Sequence, residues 1–499
     1  MQSGGNEARA HLGAAAGPAY RRLYERIREA ILSGQLTAGA RLPASRQLAA
    51  ESGVSRNTVL AAFDQLNAEG YLEARRGSGT YVARVLPEQM ISPGRAVKSS
   101  AQSRATPRGL SERGQRIAGT DRMPLPAITG ASSHSTAFQI GLPGLDEFPS
   151  ELWARLYAAR MRQSARDLMR YDDAAGYRPL REAIAAYIAT ARGIRCTADQ
   201  VVVVSGSQQA LEFCARILLD PGDPAWIEDP GYLGARAALV SAGARLVPVP
   251  VDDKGLDVSA GIEREPGARL AIVTPSHQFP LGSTLSLERR IALIDWAARA
   301  GVWVVEDDYD SEFHYVGRPL AALQAIDQHD RVIYVGTFSK AMFPSLRLGY
   351  LIAPRELVDG FTAAHLSTDM HAHLLDQAVL TDFIREGHFN RHLRRMRVLY
   401  GTRQKALIRE ADRLRGRLRV APSDGGLHVI GWLPKDFDDR EVATAAARRD
   451  IHAWPLSLHS IEPNHPPALL LGYAGTTEPD IREGIDILGQ LLGGRATAK

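Results

Sequence analysis

From about residue 137 onward, short and almost unbroken apolar runs alternate with stretches that carry a helical stripe. "QVVVVSG", "PAWIEDP", "RLAIVTP", "GVWVVEDD" and "RVIYVGTF" are the runs, rich in β-branched residues, as strands buried on both faces should be. "SQQALEFCARILL" and "LSLERRIALIDWAARA" are amphipathic at helical spacing. Strand and helix in alternation predict an α/β domain over residues 137–490 with a mainly parallel central sheet.

The first eighty residues follow a different pattern. "AYRRLYERIREAILSG" sets Leu23, Ile27 and Ala30 or Ile31 on one helical face, and Gly34 can end that helix. "LPASRQLAAESGVSRNTVLAAFDQLNAEGYL" then predicts two short helices: Ser45 caps the first (46–51), Gly53 makes the turn and Ser55 caps the second. Leu48, Ala49, Val54, Val59, Leu60 and Leu66 are the expected inner faces. "YLEARRGSGTYVA" reads as two strands around a basic turn. Residues 18–85 thus predict a winged helix-turn-helix (α+β) unit. Residues 86–136 are rich in Pro, Ser, Gly and Arg, have little periodicity, and are expected to be a flexible linker.

Composition narrows the classes. At 499 residues the chain exceeds one ordinary core, and 45% apolar with 23% charged residues is the mix of a soluble globular protein. A net charge of +4 decides little, so the placement of charge matters more. Two cysteines, Cys196 and Cys214, give no disulfide framework, and the N-terminus lacks an apolar signal core. No apolar run approaches the roughly 20 residues a bilayer span needs. A cytoplasmic protein without membrane association is the expectation.

A helix-turn-helix lays its second helix in the major groove, so Ser55, Arg56, Asn57 and Thr58 would reach bases and phosphates. The wing, with Arg76, is able to lie along the DNA backbone or minor groove. Taken alone, the arginines would be a solvated face; the basic wing and the polar start of the second helix favour DNA.

In the large domain, polar residues gather at strand ends, where open α/β sheets bind ligands. Ser207 and Gln208 begin a helix after a Gly-containing turn, a natural phosphate seat. Asp307 and Tyr309 follow one strand, and His277 ends another. "TFSKAMFPSLRLGY" supplies Thr337, Ser339, Lys340 and Arg347, with Pro344 set against a helix starting at the lysine. Singly, each has an ordinary reading: a surface lysine, a helix cap, a carboxylate paired to any base. Together, a lysine, a carboxylate, a phosphate seat and an arginine suggest pyridoxal 5'-phosphate. Lys340 would form the Schiff base, Asp307 would face the pyridine nitrogen, and Tyr232 in "EDPGYLGAR" would cover the ring. Ser207, Gln208, Ser339 and Arg347 would hold the phosphate.

The stretch "LPASRQLAAESGVSRNTVLAAFDQLNAEGYLEARRGSGTYV" resembles the winged helix-turn-helix of GntR-type regulators almost end to end. That resemblance implies operator contacts at Arg41, Ser45, Arg46, Arg56, Thr58 and Gly79. Residues 137–490 resemble the fold-type-I aminotransferases, and both domains in this order resemble MocR-type regulators, a GntR subfamily. The family implies a head-to-tail homodimer. Two departures stand out. Phe279 in "QFPLG" replaces the asparagine that bonds the cofactor's phenolic oxygen in aminotransferases, leaving Tyr309, with His277 or Gln278 beside it. Leu470 in "PPALLLGYAGTT" stands where aminotransferases have the arginine that clamps a substrate carboxylate; Arg236, Arg391 and Arg394 are the candidate substitutes.

Three functions follow as expectations. The leading one is a transcriptional regulator that binds operator DNA and senses pyridoxal phosphate or a small amine or amino-acid effector, with inefficient transamination. The second is a working aminotransferase with an accessory DNA-binding module. The third is a DNA-binding protein whose large domain has lost the cofactor and serves dimerisation.

Overall fold

The computed structural model describes residues 19–75, 79–85, 109–120, 137–316, 321–462 and 465–493. Their contacts divide the chain into two units, residues 1–108 and 109–499.

In the first unit, α1 (Ala19–Leu32), α2 (Ser45–Ser52) and α3 (Arg56–Ala68) precede a hairpin of β1 (Leu72–Arg75) and β2 (Gly79–Val82). Leu23, Ile27 and Ile31 are buried as the stripe predicts. Gly53 ends α2 in the left-handed region, at φ 64°, and its N–H closes on the last turn. Ser55 caps α3, its Oγ accepting from Thr58 N at 3.1 Å. Two expectations are corrected. Ala44, not Ser45, is the N-cap of α2, because Ser45 already lies inside the helix. Leu60 is 37% exposed: α3 buries Val59, Ala62, Phe63 and Leu66, and Leu60 lies one residue, about 100°, off that stripe. Arg76 lies outside the described residues.

The second unit opens on a further correction. Within the expected linker, Glu112–Ala118 form a helix, α4, capped by Ser111 Oγ on Gly114 N. It packs on a later helix, α6 (Leu233–Ala242), and Arg113 Nε donates to Ser241 O at 2.6 Å. Cap and cation hold it; none of its side chains is buried.

An eight-stranded sheet follows, in the order β3 (Val201–Val204), β10 (Gly349–Ile352), β9 (Val332–Thr337), β8 (Trp303–Asp308), β7 (Leu270–Val273), β4 (Pro224–Asp229), β5 (Arg245–Asp252), β6 (Gly255–Leu256). The run from β9 to β5 is parallel, whereas β10 is antiparallel to both β3 and β9. Side chains alternate across it. Val202, Val204, Ile227, Ile272 and Val305 pack on one face with α5 (Ser207–Leu218) and α6. Val201, Val203 and Tyr334 face one opposing cluster, and Trp226 and Val304 another. Burial on both faces is why these strands carry no polar alternation. A smaller antiparallel sheet follows in the order β11 (Arg419–Val420), β12 (His428–Trp432), β14 (Ala468–Gly472), β13 (Trp454–Pro455). Leu270–Val273, Trp303–Asp308 and Val332–Thr337 end side by side, and that edge builds the site.

Candidate cofactor pocket and DNA-reading surface

β8 ends in three consecutive buried carboxylates, Glu306, Asp307 and Asp308. Glu306 accepts from the N–H groups of Leu323 and Gln324 at 2.8 and 2.9 Å. Asp308 Oδ2 accepts from Arg192 Nε at 2.8 Å and from the Tyr334 hydroxyl at 2.7 Å. Asp307 projects to the other face. Its Oδ1 is buried without a hydrogen-bond partner. Burial, and then the negative charges of Asp308, Glu228 and Asp310, push its carboxyl from 3.8 up to about 7, against the pull of Lys340.

Asp307 lines a cleft of about 620 Å³, counted out to its open mouth, together with Ser207, Tyr232, Tyr309 and Lys340. Lys340 sits in the turn after β9, at the strand's carboxyl end as expected. Its Nζ donates to the Gly141 carbonyl at 2.9 Å. Burial holds the ammonium below its usual pKa, a bias toward the neutral amine that a lysine nucleophile needs. Gly141 has φ 71°, and a Cβ there would stand 2.5 Å from Nζ.

At one end of the cleft, α5 starts at Gly206, whose φ of 100° suits glycine. A Cβ at Gly206 would meet the Arg347 guanidinium at 3.2 to 3.4 Å. Ser339 Oγ is buried without a partner. Free N–H groups of a twelve-residue helix with a guanidinium beside its start can seat an anion. Tyr232 precedes α6, and its ring stands edge-on to Phe279, with centroids 5.7 Å apart. An orphaned carboxylate, a lysine of lowered pKa and an anion seat fit pyridoxal phosphate in charge and hydrogen-bonding need.

Three expected cofactor residues sit one layer back. His277 Nδ1 is 2.9 Å from the Tyr309 hydroxyl and 3.0 Å from Asp310 Oδ2, so it touches Tyr309 rather than the cleft. Gln208 Nε2 donates to Gly234 O at 2.9 Å. Thr337 Oγ1 accepts from Ser339 N at 3.2 Å and shapes the turn into the lysine. Gln278 is tied to Glu228 Oε2 and the Pro230 carbonyl, away from any ring oxygen.

The remaining wall was invisible in sequence: Ile140, Gly141, Leu427, His428 and Trp454 arrive from distant segments. "QIGLPG" offered only a Gly–Pro turn signal. Leu470 is fully buried in β14, paired with Ile430 and Trp454. Arg391 and Arg394 are exposed on another helix, and Arg236 Nη2 donates to His459 O at 2.9 Å. None of the three lines the cleft.

In the DNA-reading unit, Arg46, Ser55, Arg56 and Asn57 are exposed and Thr58 half-buried around the start of α3. Arg56 Nε donates to Ser45 Oγ at 3.3 Å, tying the two helices at the surface that would face the groove. Arg41 bridges to Tyr81 in the wing, and a Cβ at Gly79 would stand 3.0 Å from Arg41 Nε. Gly79 leaves room for that cation.

Residues 19–82 match the family of bacterial regulatory proteins, gntR family, and residues 145–488 match aminotransferase class I and II. The chain is similar to the probable rhizopine catabolism regulatory protein MocR of Rhizobium meliloti, 42% identical across 94% of this chain and 93% of the relative. It is 31% identical, over 87% of each chain, to the HTH-type pyridoxine biosynthesis transcriptional regulator PdxR of Corynebacterium glutamicum. The solved structure of LysN, an alpha-aminoadipate aminotransferase from Thermus thermophilus complexed with N-(5'-phosphopyridoxyl)-L-leucine, gives a TM-score of 0.69. Identity there is 29%, covering 77% of this chain and 97% of that one. With a winged helix-turn-helix and a lysine-centred cleft following in that order on one chain, the protein belongs to the MocR-type regulators, a GntR-family unit joined to an aminotransferase class I and II domain.

Proposed function

We propose that this chain is a cytoplasmic transcriptional regulator that reads operator DNA with α3 and its wing, holds pyridoxal 5'-phosphate at Lys340, and changes DNA affinity when that pocket is filled. The observation that carries the reading is Asp307: a buried carboxylate whose Oδ1 has no partner, lining the same cleft as the half-buried Lys340 in a chain that also presents a recognition helix. When bound, pyridoxal phosphate supplies an aldehyde that joins primary amines and a ring that withdraws electrons.

The chain's own residues do the rest. Lys340 presents its amine from the turn after β9. The α5 N-terminus, Ser339 and Arg347 would hold the anionic end. Asp307 would keep a proton on the ring nitrogen, and Tyr232 would cover the ring and exclude water. Tyr309, whose hydroxyl is held by His277, lines the cleft as well.

A regulator also needs two arrangements of unequal affinity for the ligand, since tight binding alone shifts nothing. Family resemblance supports a head-to-tail homodimer as the assembly in which those arrangements differ. Among the described residues, no arginine lines the cleft to clamp an amino-acid carboxylate, which favours sensing over efficient transamination.

Purified protein loaded with the cofactor should show a visible absorbance band that Lys340→Ala abolishes. Fluorescence anisotropy should show operator affinity changing with cofactor or amine. A borohydride-reduced sample with no added mass on Lys340 would sink the cofactor assignment. Steady turnover of an amino acid with an added keto acid would instead favour the working aminotransferase.

A further inference from the structure

The cleft lining is of two chemistries. Lys340, Asp307 and Ser207 are its polar members. Ile140, Phe279 and Trp454 line it too and belong to one apolar cluster with Ile430 and the fully buried Leu470, which pairs with Trp454. The one histidine in this lining, His428, shares a hydrogen bond of 2.9 Å between its Nε2 and the Pro280 carbonyl. Burial, reinforced by the charge of His277, pushes it down to about 3, so it is neutral at physiological pH.

Cations in the surrounding layer are already engaged. Arg192 pairs with Asp308, and Arg403 Nη2 reaches Asp146 Oδ2 at 2.9 Å. Arg290 donates to the carbonyls of Leu285, Ala321 and Pro275 at 2.7 to 2.8 Å. Arg236 serves the His459 carbonyl, and Arg347 stands at the Gly206 end.

We infer that the effector accepted beside Lys340 is a primary amine carrying an apolar substituent and no carboxylate, and that Trp454 and the wall around it set this preference. The inference deepens the proposed function and rests on Lys340 being the cofactor-bearing lysine. A carboxylate brought against Ile140, Phe279 and Trp454 would shed water and meet no arginine among the described residues that line the cleft. An apolar substituent would cover Ile140, Phe279 and Trp454 and remove their area from water.

The test compares 2-phenylethylamine with L-phenylalanine, which differ only by the carboxylate, and uses methylamine as the tail-free control. Cofactor-loaded protein, with Lys340 labelling verified by borohydride reduction, is titrated by visible absorbance and by calorimetry. 2-Phenylethylamine should bind at least tenfold more tightly than L-phenylalanine. Trp454→Ala should cut the advantage of 2-phenylethylamine over methylamine by at least fivefold while methylamine binding is kept. Equal or tighter binding of the amino acid, or no binding of any amine to protein whose Lys340 carries the cofactor, overturns the inference. So does an unchanged advantage in Trp454→Ala, and if that variant fails to fold the native-protein comparison decides alone. An unlabelled Lys340 is a separate result, which brings down the underlying cofactor reading and this inference with it.

Discussion

Asp307 and Asp308 are neighbours on β8, yet Asp308 Oδ2 holds Arg192 Nε at 2.8 Å while Asp307 Oδ1 is buried with no partner. The pleat separates them: one carboxylate goes to a paired ion on one face, the other into the cleft. A buried charge without a partner is costly, and Asp307 lessens the cost by keeping its proton up to about pH 7. A protonated ring nitrogen is the partner that would let it ionise.

Asp307→Asn should therefore act with opposite sign on the two forms of the protein. In cofactor-free protein the folded state keeps this proton up to about pH 7, whereas the unfolded chain loses it near 3.8. The folded state is then penalised increasingly as pH rises through that window, and fully above it. Cofactor-free Asp307→Asn should be more stable than the native chain at about pH 8, by on the order of 2–4 kcal/mol, and equal to it at about pH 4. With cofactor present, the native chain should gain more than the variant does. Thermal unfolding across pH, with and without cofactor, checks both signs.

Gly141→Ala should fold and lose cofactor. The new Cβ would stand 2.5 Å from Lys340 Nζ, and φ 71° adds local strain. Because Nζ is the free end of a long side chain, it yields before the backbone does. Cofactor affinity measured by absorbance titration should fall at least tenfold, with far-ultraviolet circular dichroism unchanged.

Arg56→Ala should weaken operator binding by about 1–3 kcal/mol and leave the visible band of the cofactor intact. If Arg56 contacts phosphate, the slope of affinity against salt between about 50 and 200 mM should fall by about one unit. Specificity lost with an unchanged slope would place it on a base instead.

Gly79→Ala tests the wing independently. Its φ is 115°, and the added Cβ would stand 3.0 Å from Arg41 Nε, so the hairpin strains and the cation moves together. Operator affinity should fall at least tenfold by anisotropy, with no change in cofactor uptake.

Much of this was legible because strand ends announce themselves. Lys340, Asp307, Ser207 and Tyr232 each follow an apolar run, and the topology sends those ends to one edge. The opposing wall was not legible. Gly141 lies hundreds of residues before His428 and Trp454, which sit on two different strands, and nothing local marks the three as neighbours. His277 and Gln208 illustrate a different limit: position after a strand places a residue near the edge, but hydrogen bonds to Asp310 and Gly234 decide which layer it joins. In α3, periodicity found the helix while a one-residue phase error put Leu60 inside. For α4 there was no apolar stripe to find, only a serine cap and an arginine that bonds a carbonyl more than a hundred positions away.

Anchoring Arg113 to Ser241 fastens α4 to the second unit by a single cation and a carbonyl. Two positions so far apart in the chain, on α4 and on α6, then move as one piece of the second unit. That fastening, moreover, is to α6, the helix that starts directly after Tyr232 at the cleft, so whatever shifts α6 carries α4 along with it.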